Sequence, residues 1–188
     1  MNYINSTYIK IYEIKKSKFI AHIVPYSQFS SIMKELKEKH PKARHFVYAY
    51  RYLNDYEQIV ENSSDDGEPK GTSGKPALAV LSGAKIINSA VIIVRYFGGV
   101  KLGTGGLVKA YSNSTNLVLN DKETKLIQYE KLKTYFINTE YSKLSFVEYI
   151  LNKERVNIIK KEFNSEVEIE FEASELSYKN IIVHITSI

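Results

Sequence analysis

Two segments of this 188-residue chain hold residues whose types and spacing could support chemistry. The first, residues 63–76, is called the acidic segment here because Asp65, Asp66 and Glu68 fall within four positions. Three carboxylates so close together could bind magnesium weakly or orient a water molecule for hydrolysis. The same residues are also ordinary turn formers, and pairing with basic side chains elsewhere would make them structural. The residues alone leave both interpretations open.

The second, residues 95–111, is called the glycine segment because it contains five glycines. Glycine lets the backbone adopt positive φ and approach a ligand closely, and a helix predicted to start near Gly105 would offer unpaired amide groups to an anion. Arg95, Lys101 and Lys109 flank these glycines, so an RNA phosphate, a nucleotide or a small anion could bind. Alternatively, the glycines serve only tight turns and close helix–sheet packing. The spacing matches neither the dinucleotide fingerprint nor the Walker pattern, and no cofactor is expected.

The candidate ligand contacts combine this segment with one histidine near the start of a predicted strand. His45 could donate to a phosphate or act as a base, or it could be an ordinary surface histidine. Tyrosines in the strands could stack on RNA bases or could pack within the sheet. The candidate residues for anion or RNA binding are His45, Arg95, Tyr96, Lys101, Gly103, Thr104, Gly105, Gly106, Lys109 and Tyr111.

The composition excludes several classes of site. The chain has no cysteine, so disulfides, thiolate nucleophiles and cysteine-ligated zinc are impossible, and four scattered histidines are a weak alternative for binding a metal. No apolar stretch approaches the roughly 20 residues of a membrane span, and the amino terminus alternates polar and apolar residues. We therefore expect a cytoplasmic protein without a membrane partner.

The positive charge is concentrated in the first part of the chain. Residues 1–130 contain 18 Lys and Arg against 12 Asp and Glu, whereas residues 131–188 contain 8 against 9. A basic surplus attracts polyanions through counterion release, although many soluble proteins with such a charge bind no nucleic acid. The surplus is therefore a modest indication of RNA binding.

Hydrophobic periodicity predicts the elements that would position these segments. Period-two alternation predicts a hairpin over residues 8–24 and a strand over 45–52, and an amphipathic stripe predicts a helix capped by Ser27. A β-branched run over 89–94 is typical of a central strand buried on both faces, and it leads into the glycine segment and a helix. The remaining predicted elements are a strand over 56–60, a short helix over 75–81, and a β-α-β-β-α series over 133–139, 142–152, 156–163, 167–173 and 175–188.

Four runs of sequence, in this order, closely resemble the YigZ/IMPACT family: KSKFIAHIVP, HPKARH, SSDDGEPKGTSGKP and RYFGGVKLGTGGLVKAYS. The resemblance implies an α+β protein of two domains. Residues 1–125 would have the ribosomal-protein-like β-α-β fold of elongation factor G domain IV, and residues 131–188 would be ferredoxin-like. Because the chain stops where a further strand is expected, the second domain would be shortened.

The resemblance also implies a function. Eukaryotic members restrain the kinase that stops translation initiation during starvation, by competing for its activating protein. We therefore expect a noncatalytic, translation-linked protein that engages RNA, the ribosome or a translation-regulatory protein. The alternative is a small metal-dependent hydrolase or phosphate-binding enzyme. Phe46 and Val47 stand where relatives often have Asn-Cys, so a cysteine-dependent activity cannot occur here.

Overall fold

The computed structural model describes residues 1–186, which form two compact units. The first unit comprises Met1–Tyr129, and the second begins at Glu130. The mixture of helices and antiparallel sheets confirms the α+β class.

The elements of each unit follow in chain order. The first unit contains β1 (Asn2–Tyr3), β2 (Tyr8–Ile14), β3 (Ser17–Pro25), α1 (Phe29–Lys39), β4 (His45–Leu53), β5 (Ile59–Ser64), α2 (Gly74–Gly83), β6 (Ser89–Tyr96), α3 (Gly103–Leu119) and β7 (Ile127–Gln128). The second unit contains β8 (Leu132–Thr139), α4 (Leu144–Lys153), β9 (Asn157–Phe163), β10 (Val167–Ser174) and α5 (Glu175–Thr186).

A five-stranded antiparallel sheet in the order β2-β3-β6-β4-β5 is the framework of the first unit. Every residue of β6 except Tyr96 is buried, as expected for a β-branched strand with helices on both sides. The sequence prediction of a buried central strand is confirmed. The position of β6 matters because its last residues deliver the chain into the glycine segment.

Helices pack on both faces of this sheet. One face packs against α2 and α3 in a core that includes Val91 and Tyr111, and the other packs against α1 in a smaller core that includes Ile92. Successive side chains of a strand point to opposite faces. Arg95 therefore lies on the α3 face, whereas Tyr96 lies on the α1 face.

The second unit is a three-stranded sheet in the order β8-β10-β9, with β10 antiparallel to both neighbours. One face packs against α4 and α5 around Phe171 and Ile181. The residues of β10 that alternate with this core are Glu168, Glu170 and Glu172. The other sheet face of this unit therefore carries acidic rather than basic side chains on its middle strand.

The starts of β5 and α1 differ from the sequence prediction. β5 begins at Ile59 rather than residue 56, because the Asn54 carboxamide accepts hydrogen bonds from the amides of Tyr56 and Gln58 and extends the turn. Ser27 does not cap α1. It lies within a 3₁₀ turn, and the helix begins two residues later.

Two short strands were not predicted. β1 and β7 pair antiparallel, so the polar stretch 121–128 ends in a strand of the first unit. Strands of two residues carry no periodicity that a sequence pattern could reveal. The final predicted segment, 175–188, forms helix α5 to Thr186, and residues 187 and 188 lie outside the described residues.

Candidate anion and nucleic-acid site

The acidic segment folds around the carboxylate of Asp65. This carboxylate accepts hydrogen bonds from the backbone amides of Gly71 (2.6 Å), Ser73 (3.1 Å) and Gly74 (2.8 Å) and from the Ser73 hydroxyl (2.6 Å). Burial opposes ionisation, but these four bonds outweigh it and hold the pKa of Asp65 below its usual value. Asp65 therefore fixes the loop that leads into α2.

Asp66 attaches the acidic segment to the start of β4. Its carboxylate accepts a hydrogen bond from the Phe46 amide at 2.5 Å, and its backbone carbonyl lies 2.8 Å from Nδ1 of His45. Asp66 and Gly67 both have positive φ, so the chain turns sharply here. The turn directs Glu68 back towards the sheet.

Glu68 joins the acidic segment to the glycine segment. Its Oε1 accepts hydrogen bonds from Arg95 and, at 2.7 Å, from the Tyr111 hydroxyl. Nε2 of His45 lies 3.9 Å from the same oxygen. The side chains of Glu68 and Arg95 are only 4% and 6% exposed, and Tyr111 is fully buried. A buried ion pair with this further bond holds together β6, α3 and the acidic segment.

Burial is the main cause that raises the pKa of the Tyr111 phenol, and the neighbouring Glu68 carboxylate raises it further. Tyr111 therefore remains a neutral donor over the whole physiological range of pH.

The guanidinium of Arg95 lies 5.3 Å from the ring centre of Phe19 and 5.8 Å from that of Phe97. Its orientation is consequently fixed by both charge and aromatic contact.

The glycine segment passes close to the β2–β3 turn. The Gly98 amide donates to the Ser17 hydroxyl at 3.1 Å, and a Cβ on Gly98 would lie 2.0 Å from the carbonyl carbon of Lys16. Gly99 and Gly103 have φ of 84° and 72°, in the region that favours glycine. The chain can therefore cross the basic turn and enter α3 at Gly103, two residues before the predicted start.

A cavity of about 340 Å³ opens where the two segments meet. Lys101 is exposed at its edge, and the first residues of α3 form part of its wall. Nε of Arg95 has no hydrogen-bond partner among the described residues although its side chain is buried. The lining residues are Glu68, Pro69, Arg95, Phe97, Lys101, Leu102, Gly103, Thr104 and Leu107. The cavity thus combines apolar walls with a helix start and two cationic side chains, of which Arg95 is paired with the Glu68 carboxylate and Lys101 is exposed.

The structure brings some of the candidate residues to this cavity and leaves others away from it. Those in the lining are Glu68, Arg95, Lys101, Gly103 and Thr104. Those outside the lining are His45, Asp65, Asp66, Tyr96, Gly105, Gly106, Lys109 and Tyr111. The hydroxyl of Tyr96 lies 2.9 Å from Nδ1 of His40 on the other sheet face. Tyr111 donates a hydrogen bond to Glu68, which lines the cavity. Asp65 fixes the acidic segment, which carries Glu68.

Sequence reasoning assigned no ligand contact to the apolar walls of the cavity. Phe97 is 52% exposed directly after a buried strand, and Leu102 and Leu107 flank the start of α3. The signal that could have found Phe97 is its position between Arg95 and the glycine pair, where an aromatic side chain has no predicted strand to pack into.

A larger cavity of about 820 Å³ lies at the opposite end of the sheet, beside Tyr26, Tyr52 and Asn88. Asp55 is the only charged residue in the lining described for it. The tyrosine rings here pack on each other, with the centres of Tyr26 and Tyr52 4.1 Å apart. A phosphate would meet no cation in this lining, so the smaller cavity suits an anion better.

Within residues 1–186, no three His, Asp or Glu side chains lie close enough together to hold a metal ion. Over the same residues, none of the helices has the length and apolar character of a membrane span.

Comparisons with known proteins place these motifs in a family. Residues 15–119 match the model of the Impact N-terminal domain. The chain is 37% identical over 158 residues to the IMPACT family member YigZ of Escherichia coli, covering 81% of this chain and 76% of that protein. It is 34% identical over 167 residues to an IMPACT family member of Haemophilus influenzae, covering 87% and 80%. A crystal structure described as that of an hypothetical protein aligns with a TM-score of 0.65 and 30% identity, covering 99% of this chain and 91% of that one.

Proposed function

Because this chain belongs to the IMPACT family, we propose that it is a translation-linked binding protein whose first unit engages RNA, free or on the ribosome. The observation that carries the proposal is the cavity between the acidic and glycine segments, where Lys101, Arg95 and the start of α3 converge. A helix start and cationic side chains are the groups that proteins use to hold phosphate.

The side chains around the cavity support a polyanionic ligand. Lys15 and Lys16 are exposed on the turn that packs against Gly98, and Lys70 is exposed beside Pro69. Together with Lys101 they are called the basic rim here. A row of mobile cations next to fixed amide donors suits a ligand with several phosphates better than a single small anion.

Hydrolysis receives less support than binding. Asp65 accepts four hydrogen bonds, Asp66 accepts one from the Phe46 amide, and Glu68 accepts two from buried side chains. Carboxylates engaged in this way stabilise the loop, whereas a metal ligand or general base needs an oxygen directed at the substrate. We therefore propose that the acidic segment is structural and that the protein works without a cofactor.

The proposal is tested by fluorescence anisotropy with a labelled single-stranded oligoribonucleotide. We expect binding by the wild-type protein at 50 mM salt that weakens steeply as salt increases. Lys101→Gln should weaken binding roughly tenfold, and Lys70→Gln should weaken it less. Lys34→Gln is the matched control, because Lys34 is also exposed but lies on α1, which packs on the other sheet face.

No binding at low salt, or equal affinity of the Lys101→Gln and Lys34→Gln variants, would contradict RNA binding at this cavity. Capture of a translation-regulatory protein that survives nuclease treatment, together with absent RNA binding, would indicate a protein partner instead. We place this function in the cytoplasm, where translation occurs.

We further propose that the units correspond to two domains, residues 1–125 with the fold of elongation factor G domain IV and residues 131–188 with a ferredoxin-like fold. β5, α2 and β6 supply the β-α-β order in the first. In the second, β8 and β9 lie on either side of β10 and are antiparallel to it, with α4 connecting them. This split β-α-β arrangement supports the ferredoxin-like assignment.

A further inference from the structure

We propose that the 340 Å³ cavity holds one unstacked nucleotide of single-stranded RNA, with its base against Phe97 and its phosphate at the start of α3. The inference rests on the proposed function and specifies the form of RNA that the same site recognises.

The aromatic wall is suited to a base. Phe97 is 52% exposed, and the Arg95 guanidinium lies 5.8 Å from its ring centre, a cation–π contact that restrains the ring. Leu102 and Leu107 add apolar surface to the same cavity. A half-exposed ring that is already fixed loses little conformational entropy when a base stacks on it.

The first turn of α3 is suited to the phosphate of the same nucleotide. Leu102 occupies the N-cap position and makes no side-chain capping bond, so the first amides of α3 have no side-chain cap, and Gly103 and Thr104 of this first turn line the cavity. Lys101 adds a mobile cation at the edge. These groups provide the fixed dipole and the charge that a phosphate needs.

A second, independent observation points to a ligand. Nε of Arg95 is buried and has no partner among the described residues, while Nη1 of the same side chain is bonded to Glu68. A buried donor without an acceptor is costly, so it marks a position where a ligand oxygen would complete the hydrogen bonding. The exocyclic oxygen or the ribose hydroxyls of a nucleotide would provide such an acceptor.

The size of the cavity favours a single nucleotide over a duplex. About 340 Å³ is near the lower limit of ligand cavities and leaves no room for a base pair. In A-form RNA the bases are stacked inside the helix and cannot reach a concave aromatic wall. Single-stranded RNA can turn one base out, and stacking on an aromatic side chain is the usual way that proteins hold it.

The test compares three labelled RNAs of one length on the full chain by fluorescence anisotropy: a single strand, its duplex, and a single strand with abasic positions that keeps all phosphates. We expect the wild-type protein to bind the intact single strand roughly 5- to 100-fold more tightly than the abasic strand. Phe97→Leu should lose this preference and leave the abasic affinity unchanged. Phe163→Leu is the control, because Phe163 is 58% exposed but belongs to the second unit.

Equal wild-type affinity for intact and abasic strands would overturn the inference, as would a Phe97→Leu variant that weakens both by the same factor. If the three RNAs bind with equal affinity and Lys101→Gln weakens the binding of each, the proposed RNA binding is retained and the proposal of an inserted nucleotide is rejected. If none binds at low salt, the proposed function itself fails. The wild-type comparison requires no variant, so the inference can be refuted even if Phe97→Leu does not fold.

Discussion

At the scale of single residues, the carboxylate of Glu68 connects the two segments. It is 4% exposed, and its partners Arg95 and Tyr111 come from the end of β6 and from the third turn of α3. Removing one member of a buried ion pair leaves the other charge unpaired, which destabilises far more than loss of a surface pair. The network therefore determines whether the cavity keeps its shape.

Tyr111→Phe should reduce the free energy of unfolding by about 1.5–3 kcal/mol, because it removes a buried hydrogen bond to a charged acceptor and leaves the ring in place. Urea denaturation followed by circular dichroism measures the change. Tyr56→Phe is the control. Tyr56 is 85% exposed, and removal of its hydroxyl should change the free energy of unfolding by less than about 0.5 kcal/mol. Equal effects of the two variants would show that the Tyr111 hydroxyl contributes nothing to the network.

His22 gives the folded protein a pH dependence. It is 6% exposed on β3, and Nε2 has no partner among the described residues. Desolvation, with smaller contributions from His40 and Lys39, lowers its pKa to about 4, while Glu35 opposes this. The unfolded chain, with an ordinary pKa near 6.5, therefore binds the proton more readily than the folded one.

Stability should consequently fall as pH decreases from about 6.5 to about 4, by up to about 3 kcal/mol from this group. His22→Leu should flatten that part of the curve, as measured by urea midpoints at several pH values. An unchanged slope in His22→Leu would show that another group is responsible. A further loss of stability is expected at still lower pH, where the Asp65 carboxylate becomes protonated. Its hydrogen bonds in the folded protein hold its pKa below the usual value, so protonation weakens the loop.

At the scale of elements, the sequence predicted the strand–glycine–helix unit because each part has a strong local signal. A β-branched run, a cluster of glycines and an apolar stripe are all properties of consecutive residues. Pairing of the acidic residues with basic side chains is one of the alternatives that the sequence leaves open, but only the sheet register brings Arg95 on β6 beside Glu68. Apart from Phe97, the apolar wall of the cavity comes from Leu102 and Leu107, whose place in the lining no spacing along the chain reveals.

Gly98→Ala tests the close approach of the glycine segment to the β2–β3 turn. The added Cβ would lie 2.0 Å from a backbone carbon of Lys16, so the two segments must separate. We expect a loss of stability of about 1–3 kcal/mol or more, measured by urea denaturation. Gly83→Ala should instead be neutral or stabilise by up to about 1 kcal/mol, because nothing lies within 4 Å of that position at the end of α2. A Gly98→Ala variant as stable as Gly83→Ala would contradict the packing described.

At the scale of the whole molecule, charge and fold divide at the same place. The first compact unit ends at Tyr129, and the surplus of basic residues lies entirely before residue 131. The acidic middle strand of the second unit makes that sheet unsuited to phosphate. A polar stretch in the sequence predicts a boundary at residues 121–128, but no local signal shows that β7 at the end of this stretch returns to pair with β1.

Limited digestion with trypsin should cut first within residues 121–131, because this stretch joins the two proposed domains and contains several lysines. Mass spectrometry identifies the fragments, which should correspond to roughly two thirds and one third of the chain. The exposed lysines of the β2–β3 turn serve as an internal reference. A first cut inside the five-stranded sheet would contradict the division into two domains.

The most direct test of RNA binding at the cavity is the salt dependence of affinity for wild type and Lys101→Gln, measured by anisotropy with one single-stranded RNA. If Lys101 contacts a phosphate, its removal should make the plot of log affinity against log salt shallower by about 0.7 to 1, with weaker binding at low salt. Parallel lines of equal affinity for the two proteins would contradict the account.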